Sequence, residues 1–398
     1  MNVIETPQMP TEAVKIASAV NDKFISLFSV QPIIVRSPGR VNLIGEHTDY
    51  NEGFVLPAAI DKAIYTAIQK RDDHHIHLFS AEFNEQYDAE LNNLKKSALR
   101  WPDYVLGVVD QLLKRGYQLG GFNFIVDGNV PIGAGLSSSA AVECATVFAL
   151  SELFKLSIPK LEMVKIAQKA EHDFAGVNCG IMDQFASMFG KKDHVIKLDC
   201  RSLEYEYFPL NMDGIKILLL DTNVKHSLAS SAYNRRRQEC EAGVEMIRHF
   251  HPSVKNLRDI TMAMLDKCVA PKDVLVYRRC KYIIEENIRL VTACRDLMQG
   301  NMNAFGQKMF ATHEGISKEY EVSCDELDFL VDYVKNEESV LGARMMGGGF
   351  GGCTINLVNE EAIPQLVEKI SLAYKAEMKN ELKAYIAELE DGTSLYHF

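Results

Sequence analysis

The chain has 398 residues, of which 47% are hydrophobic and 24% charged, an ordinary balance for a globular protein. That length exceeds what a single core normally serves, so two domains are expected. The formal charge of −11 argues against nucleic acid or an anionic membrane as a main partner, and a small anionic ligand would need a local positive site. Nine cysteines are scattered without a Cys-x-x-Cys pair, which points to reduced thiols rather than a disulfide framework or a zinc site. Met1 to Pro10 shows no cationic segment leading into an apolar run, and no apolar run approaches membrane-spanning length. A cytoplasmic protein is expected.

In chain order, helical spacing predicts a first helix over residues 11–27, and a short strand at 33–35 leads into Arg36-Ser-Pro-Gly-Arg-Val-Asn-Leu-Ile-Gly-Glu-His-Thr-Asp-Tyr-Asn51. Ten residues of that stretch carry Arg40, Asn42, Glu46, His47 and Asp49 among glycines. So many donors and acceptors on one loop suit a polyhydroxylated ligand, the plain alternative being a solvated surface loop. Strands are predicted at 54–56, 63–68 and 76–79. His75 and His77 fall on one strand face, but with no carboxylate or cysteine at matching spacing they read as a solvated strand rather than a metal site. Trp101, the only tryptophan, precedes a helix predicted over 103–113 and is either packing or a platform for a stacked base.

A strand at 122–127 and a helix at 142–150 flank Pro131-Ile-Gly-Ala-Gly-Leu-Ser-Ser-Ser-Ala140. A glycine- and serine-rich turn feeding a helix leaves backbone N–H groups unpaired at the positive end of the dipole, where an anion binds. The turn has neither the lysine of a Walker loop nor the third glycine of a dinucleotide loop, so a plain flexible cap remains open at this point. Further on, a helix opened by Ser157-Ile-Pro-Lys160 carries Glu171 and ends near Gly176. Asp183 sits early in a short helix, flanked by Met182 and Phe185, and is either a helix-start acid or a functional one held by a partner. Strands at 195–198 and 215–220 bracket a domain junction near 211–214, giving domains of 1–210 and 211–398. Long helical patterns then cover 231–249, 277–298, 303–317 and 324–336, with Arg235-Arg-Arg237 read as a solvated face. Five glycines in the six positions from Gly347 to Gly352 allow close backbone approach before a strand at 354–358. A helix over 361–382 and a closing strand around 394–396 are predicted last, and the sheet that strand joins is left open.

Three motifs now stand in order: Pro38-Gly-Arg-Val-Asn-Leu-Ile-Gly-Glu-His-Thr-Asp-Tyr-Asn51, Pro131 to Ala140, and Gly347-Gly-Gly-Phe-Gly-Gly-Cys353. They resemble the three signatures of the GHMP small-molecule kinases, and the first is similar to the signature of the galactokinase branch. With Lys169-Ala-Glu-His172 and Gly180-Ile-Met-Asp-Gln184 the likeness spans residues 38–353. The resemblance implies an α+β, two-domain fold, with a ribosomal-protein-S5-like N-terminal domain, a ferredoxin-like C-terminal domain and the active site in the cleft between them. It implies ATP-dependent phosphorylation of the C1 hydroxyl of α-D-galactose by a monomer whose partners are small molecules. By position, the base falls on Asp183 and its partner cation on Arg40, with further sugar contacts on Glu46, His47, Asp49, Gly180 and Tyr233. ATP contacts fall on Trp101, Tyr104, Pro131, Gly133, Ala134, Gly135, Leu136, Ser137, Ser138, Ser139 and Ala140, and Mg2+ ligands on Ser139 and Glu171. Related kinases of N-acetylgalactosamine or arabinose, and a non-catalytic sugar and ATP sensor, are the rival readings. An arginine beside a carboxylate favours its less basic, ionised form, so Arg40 is expected to stabilise charge on the reacting groups rather than to strengthen Asp183. Asp49 and Tyr233 are expected to read the axial 4-hydroxyl.

Overall fold

The computed structural model describes residues 11–225 and 229–398. What the sequence implies for Met1 to Pro10 lies outside the described residues. The strands are β1 (Ile33–Asn42), β2 (Phe54–Val55), β3 (Pro57–Lys70), β4 (His75–Ser80), β5 (Glu85–Glu90), β6 (Phe122–Gly128), β7 (His194–Asp199) and β8 (Tyr205–Pro209). They continue as β9 (Ile215–Lys225), β10 (Val340–Met345), β11 (Gly351–Asn359), β12 (Lys383–Ala387) and β13 (Ser394–Leu395). The helices are α1 (Glu12–Phe28), α2 (Trp101–Lys114), α3 (Ser138–Phe154), α4 (Lys160–Ala170), α5 (Met182–Phe189) and α6 (Ala229–Arg248). Beyond them come α7 (Met262–Cys268), α8 (Val274–Met298), α9 (Met302–Glu314), α10 (Asp325–Val334) and α11 (Ile363–Met378).

One sheet has the order β13-β1-β3-β6-β4-β5, antiparallel except where β4 runs parallel to β6. Helix α1 covers one face: its Ala17, Val20 and Phe24 stripe packs on Ala63, Tyr65 and Ile125. Helix α3 packs on β1 and β3, and α2, α4 and α5 pack around it. A second sheet, β10-β11-β9-β12, is antiparallel throughout, and α10 and α11 bury its Leu218, Leu220 and Val358 face. A short third sheet, β2-β7-β8, lies against β3 through β7 and against α8 through β2 and β8. The closing strand returns to the first sheet, where Val35 pairs with Leu395. The largest core is continuous between the halves: Val41, Leu43 and Leu136 share it with Leu219, Leu290 and Ile355. The two halves are therefore joined by apolar burial in one shared core.

Several local expectations change. The last long helix stops at Met378, with Lys379 left-handed, short of its expected end at 382, and Lys383–Ala387 beyond it forms a strand, β12, that the sequence reading does not include. Its partner is β9, with Lys383 opposite Asp221 and Ala387 opposite Ile217. Carboxylates do face the histidine pair, from across the sheet: His75 meets Glu90 at 2.8 Å and His77 meets Asp88 at 2.5 Å. These are cross-strand pairs on an edge hairpin, and among the described residues no cluster of histidine, cysteine or carboxylate could hold a metal alone.

Candidate active site

Ser137 precedes α3 at φ 58°, and its hydroxyl is not spent on capping that helix but donates to Asp183 Oδ2 at 2.5 Å. The first turn of α3 thus has no side-chain cap, and its N–H groups and dipole face the loop. Arg40 lies across the same loop, donating from Nε to Asp183 Oδ1 at 2.8 Å and from Nη1 to the Gly135 carbonyl at 2.6 Å. The register of β1 against β3 shifts between Pro38 and Arg40. There the Arg40 N–H reaches the Leu136 carbonyl at 3.1 Å, and a Cβ on Gly39 would stand 2.8 Å from that carbonyl. The loop can close on β1 because residue 39 has no side chain.

A cavity of about 280 Å³ opens beside Asp183, and every residue expected to meet the sugar lines it: Arg40, Glu46, His47, Asp49, Gly180, Asp183 and Tyr233. The lining is held by hydrogen bonds within the protein. Glu46 Oε1 accepts from Arg344 Nη2 at 3.0 Å and from the Gly347 N–H at 2.8 Å. Arg344 is wholly buried and also donates to the carbonyls of Leu43, at 2.7 Å, and Asn42. Asp49 lies against Gly180 so closely that a Cβ there would fall 1.7 Å from its Oδ2. Burial, then the neighbouring Asp183 charge, push the Asp49 carboxyl up to about 7. For Arg40 burial works against the charge, but Asp183 and Glu46 outweigh it and its pKa is raised.

A second cavity, of about 440 Å³, is walled by Trp101, Tyr104, Pro131, Ser138 and Ser139, together with Arg100, Ile132 and Tyr385. Trp101 is mostly buried, and its indole N–H donates to Glu85 at 2.9 Å. Gly133 opens onto an adjoining cleft bounded by Lys383 and Tyr385. Ala134, Leu136 and Ala140 bury their side chains in the core and can offer a ligand only backbone. The two cavities meet where Ser139 Oγ donates to Glu171 Oε1 at 3.1 Å. Gln184 Nε2 steadies Glu171 at 2.7 Å and bridges to the buried Glu143 at 3.0 Å. Burial and then the Asp183 charge raise the Glu171 pKa, so this corner favours a cation.

Several functional groups escaped the sequence reading. Arg344, Tyr282 and Glu286 hold the loop after β1 from the far half: the Tyr282 hydroxyl donates to the Glu46 carbonyl at 3.1 Å, and Glu286 accepts the Gly45 N–H at 2.8 Å. Gly347, Gly348 and Gly349 form part of the cavity wall, which their glycine run signalled without giving its place. Arg235 is exposed as expected, but Arg236 is buried and donates to the Tyr320 carbonyl at 2.6 Å.

Residues 103–191 match the GHMP kinases N terminal domain, residues 292–376 the GHMP kinases C terminal domain, and residues 22–70 the galactokinase galactose-binding signature. A galactokinase of Thermotoga neapolitana is 46% identical over 358 residues, 90% of this chain and 98% of its own. The crystal structure of Lactococcus lactis galactokinase complexed with galactose aligns with a TM-score of 0.92 at 34% identity, covering 95% of this chain and 99% of that one. The mevalonate kinase of Methanococcus jannaschii aligns with a TM-score of 0.65 at 20% identity, over 91% and 99%, which is a likeness of fold.

Proposed function

This chain belongs to the GHMP kinases and, within them, to the galactokinases, and on that premise we propose how its residues transfer a phosphoryl group from ATP to the C1 hydroxyl of α-D-galactose. The observation that carries the assignment of roles is Asp183, held between Arg40 and Ser137 on the wall of the polar cavity and close to an uncapped helix end. Galactose occupies the polar cavity. ATP lies with its base between Trp101, Tyr104 and Ile132 and its phosphates over the Gly133 to Ser139 backbone. Asp183 orients the C1 hydroxyl and accepts its proton as that oxygen bonds to the γ-phosphorus and the bond to ADP breaks. Arg40, pinned by Asp183 and Gly135, stabilises charge on the attacking oxygen and the moving phosphoryl group.

Ser139 and Glu171 are the residues that would hold Mg2+; two oxygens suit an ion that keeps water and phosphate ligands. When bound, the ion neutralises charge on the phosphates. Asp49 and Tyr233 read the axial 4-hydroxyl, and a site built on such hydrogen bonds rejects a mispaired sugar by as much as ~10^4-fold. The division at 210/211 is our proposal for the domain boundary, and we take the protein to act as a cytoplasmic monomer. The test is ADP release with Mg-ATP and a panel of galactose, N-acetylgalactosamine, arabinose, glucose, mevalonate and homoserine. Turnover on galactose, and weak or no turnover on the rest, is expected; preference for another sugar would move the substrate, and silence with sugar bound would point to a sensor.

A further inference from the structure

The two oxygens of Glu171 have different partners. Oε1 accepts the Ser139 hydroxyl at 3.1 Å. Oε2 accepts from Gln184 Nε2 at 2.7 Å and from the Cys179 thiol at 3.2 Å. Gln184 is wholly buried and also donates from Nε2 to Glu143 Oε2 at 3.0 Å, with Cys179 Sγ a further contact at 3.9 Å. Glu143 is wholly buried too, and it stands one turn beyond Ser139 on the same helix, α3. The helix that meets Oε1 through Ser139 therefore also anchors the group that meets Oε2. Cys179 is fixed in turn, because its carbonyl accepts from His172 Nε2 at 2.8 Å and Gln168 Nε2 at 3.4 Å. Glu143 Oε1 and Gln184 Oε1 are buried without partners, so the cluster is not one that stability alone would build.

Two donors use both lone pairs of Oε2, which leaves Oε1 as the one oxygen that Glu171 can give a metal. Mg2+ takes few protein oxygens, in an octahedron at about 2.0–2.1 Å, and keeps several waters. Ca2+ takes about six to eight oxygens at about 2.3–2.6 Å and accommodates both oxygens of one carboxylate. We propose that Gln184, anchored on Glu143 and with the Cys179 thiol beside it, keeps Glu171 a one-oxygen ligand and thereby tunes this corner to Mg2+ against Ca2+. Gln184 and Glu143 are positioning residues, and the inference rests on the reading of Ser139 and Glu171 as the pair that holds the cation. Without the Gln184 donor, Oε2 is free to turn toward the ion, and a two-oxygen carboxylate suits the larger cation.

The decisive variant is Gln184→Met, which keeps the length of the side chain and removes both N–H groups. Electron paramagnetic resonance of Mn2+ on the protein–ADP complex reads cation binding without turnover, and Mg2+ and Ca2+ are titrated against the bound Mn2+. The ratio of their half-displacing concentrations should move in favour of Ca2+ by about 10- to 100-fold in Gln184→Met. Galactose affinity, and ADP affinity in EDTA, should stay within about twofold of wild type, which a general packing defect would not allow. Glu143→Gln keeps an acceptor for Gln184 and should preserve the wild-type ratio. Cys179→Ala should shift it in the same direction as Gln184→Met, but less. An unchanged ratio in Gln184→Met, or an equal loss for both cations, overturns the proposal. So does a crystal structure of the wild type with ADP and Mg2+ in which Glu171 binds through both oxygens, a test that stands even if Gln184→Met fails to fold. Failure of the underlying reading would show separately. Glu171→Gln should reduce Mn2+ affinity to that of ADP alone, and full retention would mean that the cation lies elsewhere.

Discussion

The two cavities of this protein are built in opposite ways. The sugar cavity is made of side chains that are already hydrogen-bonded: Glu46 to Arg344, His47 to Tyr50, Asp183 to Arg40 and Ser137. The cavity proposed for the nucleotide joins apolar and aromatic walls, Trp101, Tyr104, Val130 and Ile132 among them, to the uncapped start of α3 at Ser138 and Ser139, and the loop that leads into that helix holds Gly133 and Gly135 at positive φ. A hydroxyl pattern can be read only by donors and acceptors fixed in place, whereas a phosphate chain needs N–H groups and room for close approach. One cavity is therefore sensitive to side-chain chemistry and the other to backbone geometry.

The largest effect should come at the junction of the two. Asp183→Ala is expected to lower kcat by ~10^2–10^4-fold while calorimetry shows ATP binding intact. A kcat near that of wild type would remove Asp183 from the proton transfer. Next, two added methyl groups should separate the cavities. Gly180→Ala drives a Cβ into Asp49 and should raise galactose KM by about 5- to 100-fold with ATP KM unchanged. Gly135→Ala, at φ 78°, should do the reverse and raise ATP KM by about 5- to 30-fold. If both variants harmed both substrates equally, the contrast between the sites would collapse.

A pH series sharpens the sugar side. The Asp49 carboxyl stands at about 7 in the folded protein, above its ordinary value of about 3.9, so folding favours its protonated form. Its contribution to stability is fully present below about pH 3.9 and is lost as pH rises through about 7. Asp49→Asn stays neutral, so the Tm gap in its favour should widen between pH 5 and 8 without ligand; a constant gap would show that Asp49 titrates normally. The smallest effect is expected at the apolar wall. Trp101→Phe loses the hydrogen bond to Glu85 and should raise ATP KM about 2- to 10-fold, leaving galactose KM alone.

The same contrast governs how much of each site is legible in the sequence. The nucleotide loop announces itself locally, because glycines at a turn and serines at a helix start act within a few residues. Strand–turn–helix order around Gly133 to Ser139, and Asp183 in the first turn of α5, follow from such short-range preferences. In the sugar loop, the density of ionisable groups from Arg40 to Asp49 marked a polar site, and all those assigned to the sugar line one cavity. The strand β12 was missed because its pairing with β9 is a contact made across more than 150 residues. Arg236 looked like a surface charge because nothing local shows that Tyr320 and Glu321 bring their carbonyls to it.

The sequence by itself marked the loop after β1, the turn before α3 and the glycine run before β11, and the conformation most short stretches adopt, since both depend on neighbours along the chain. Tertiary structure alone decided who holds those residues in place. Arg344 meets Glu46 across 298 positions, Glu286 reaches Gly45 across 241, and Tyr320 reaches Tyr50 across 270. Such pairs leave no periodicity or spacing to detect. They exist because burial of a common core brings the two halves together, and the polar groups trapped at that seam must find partners there.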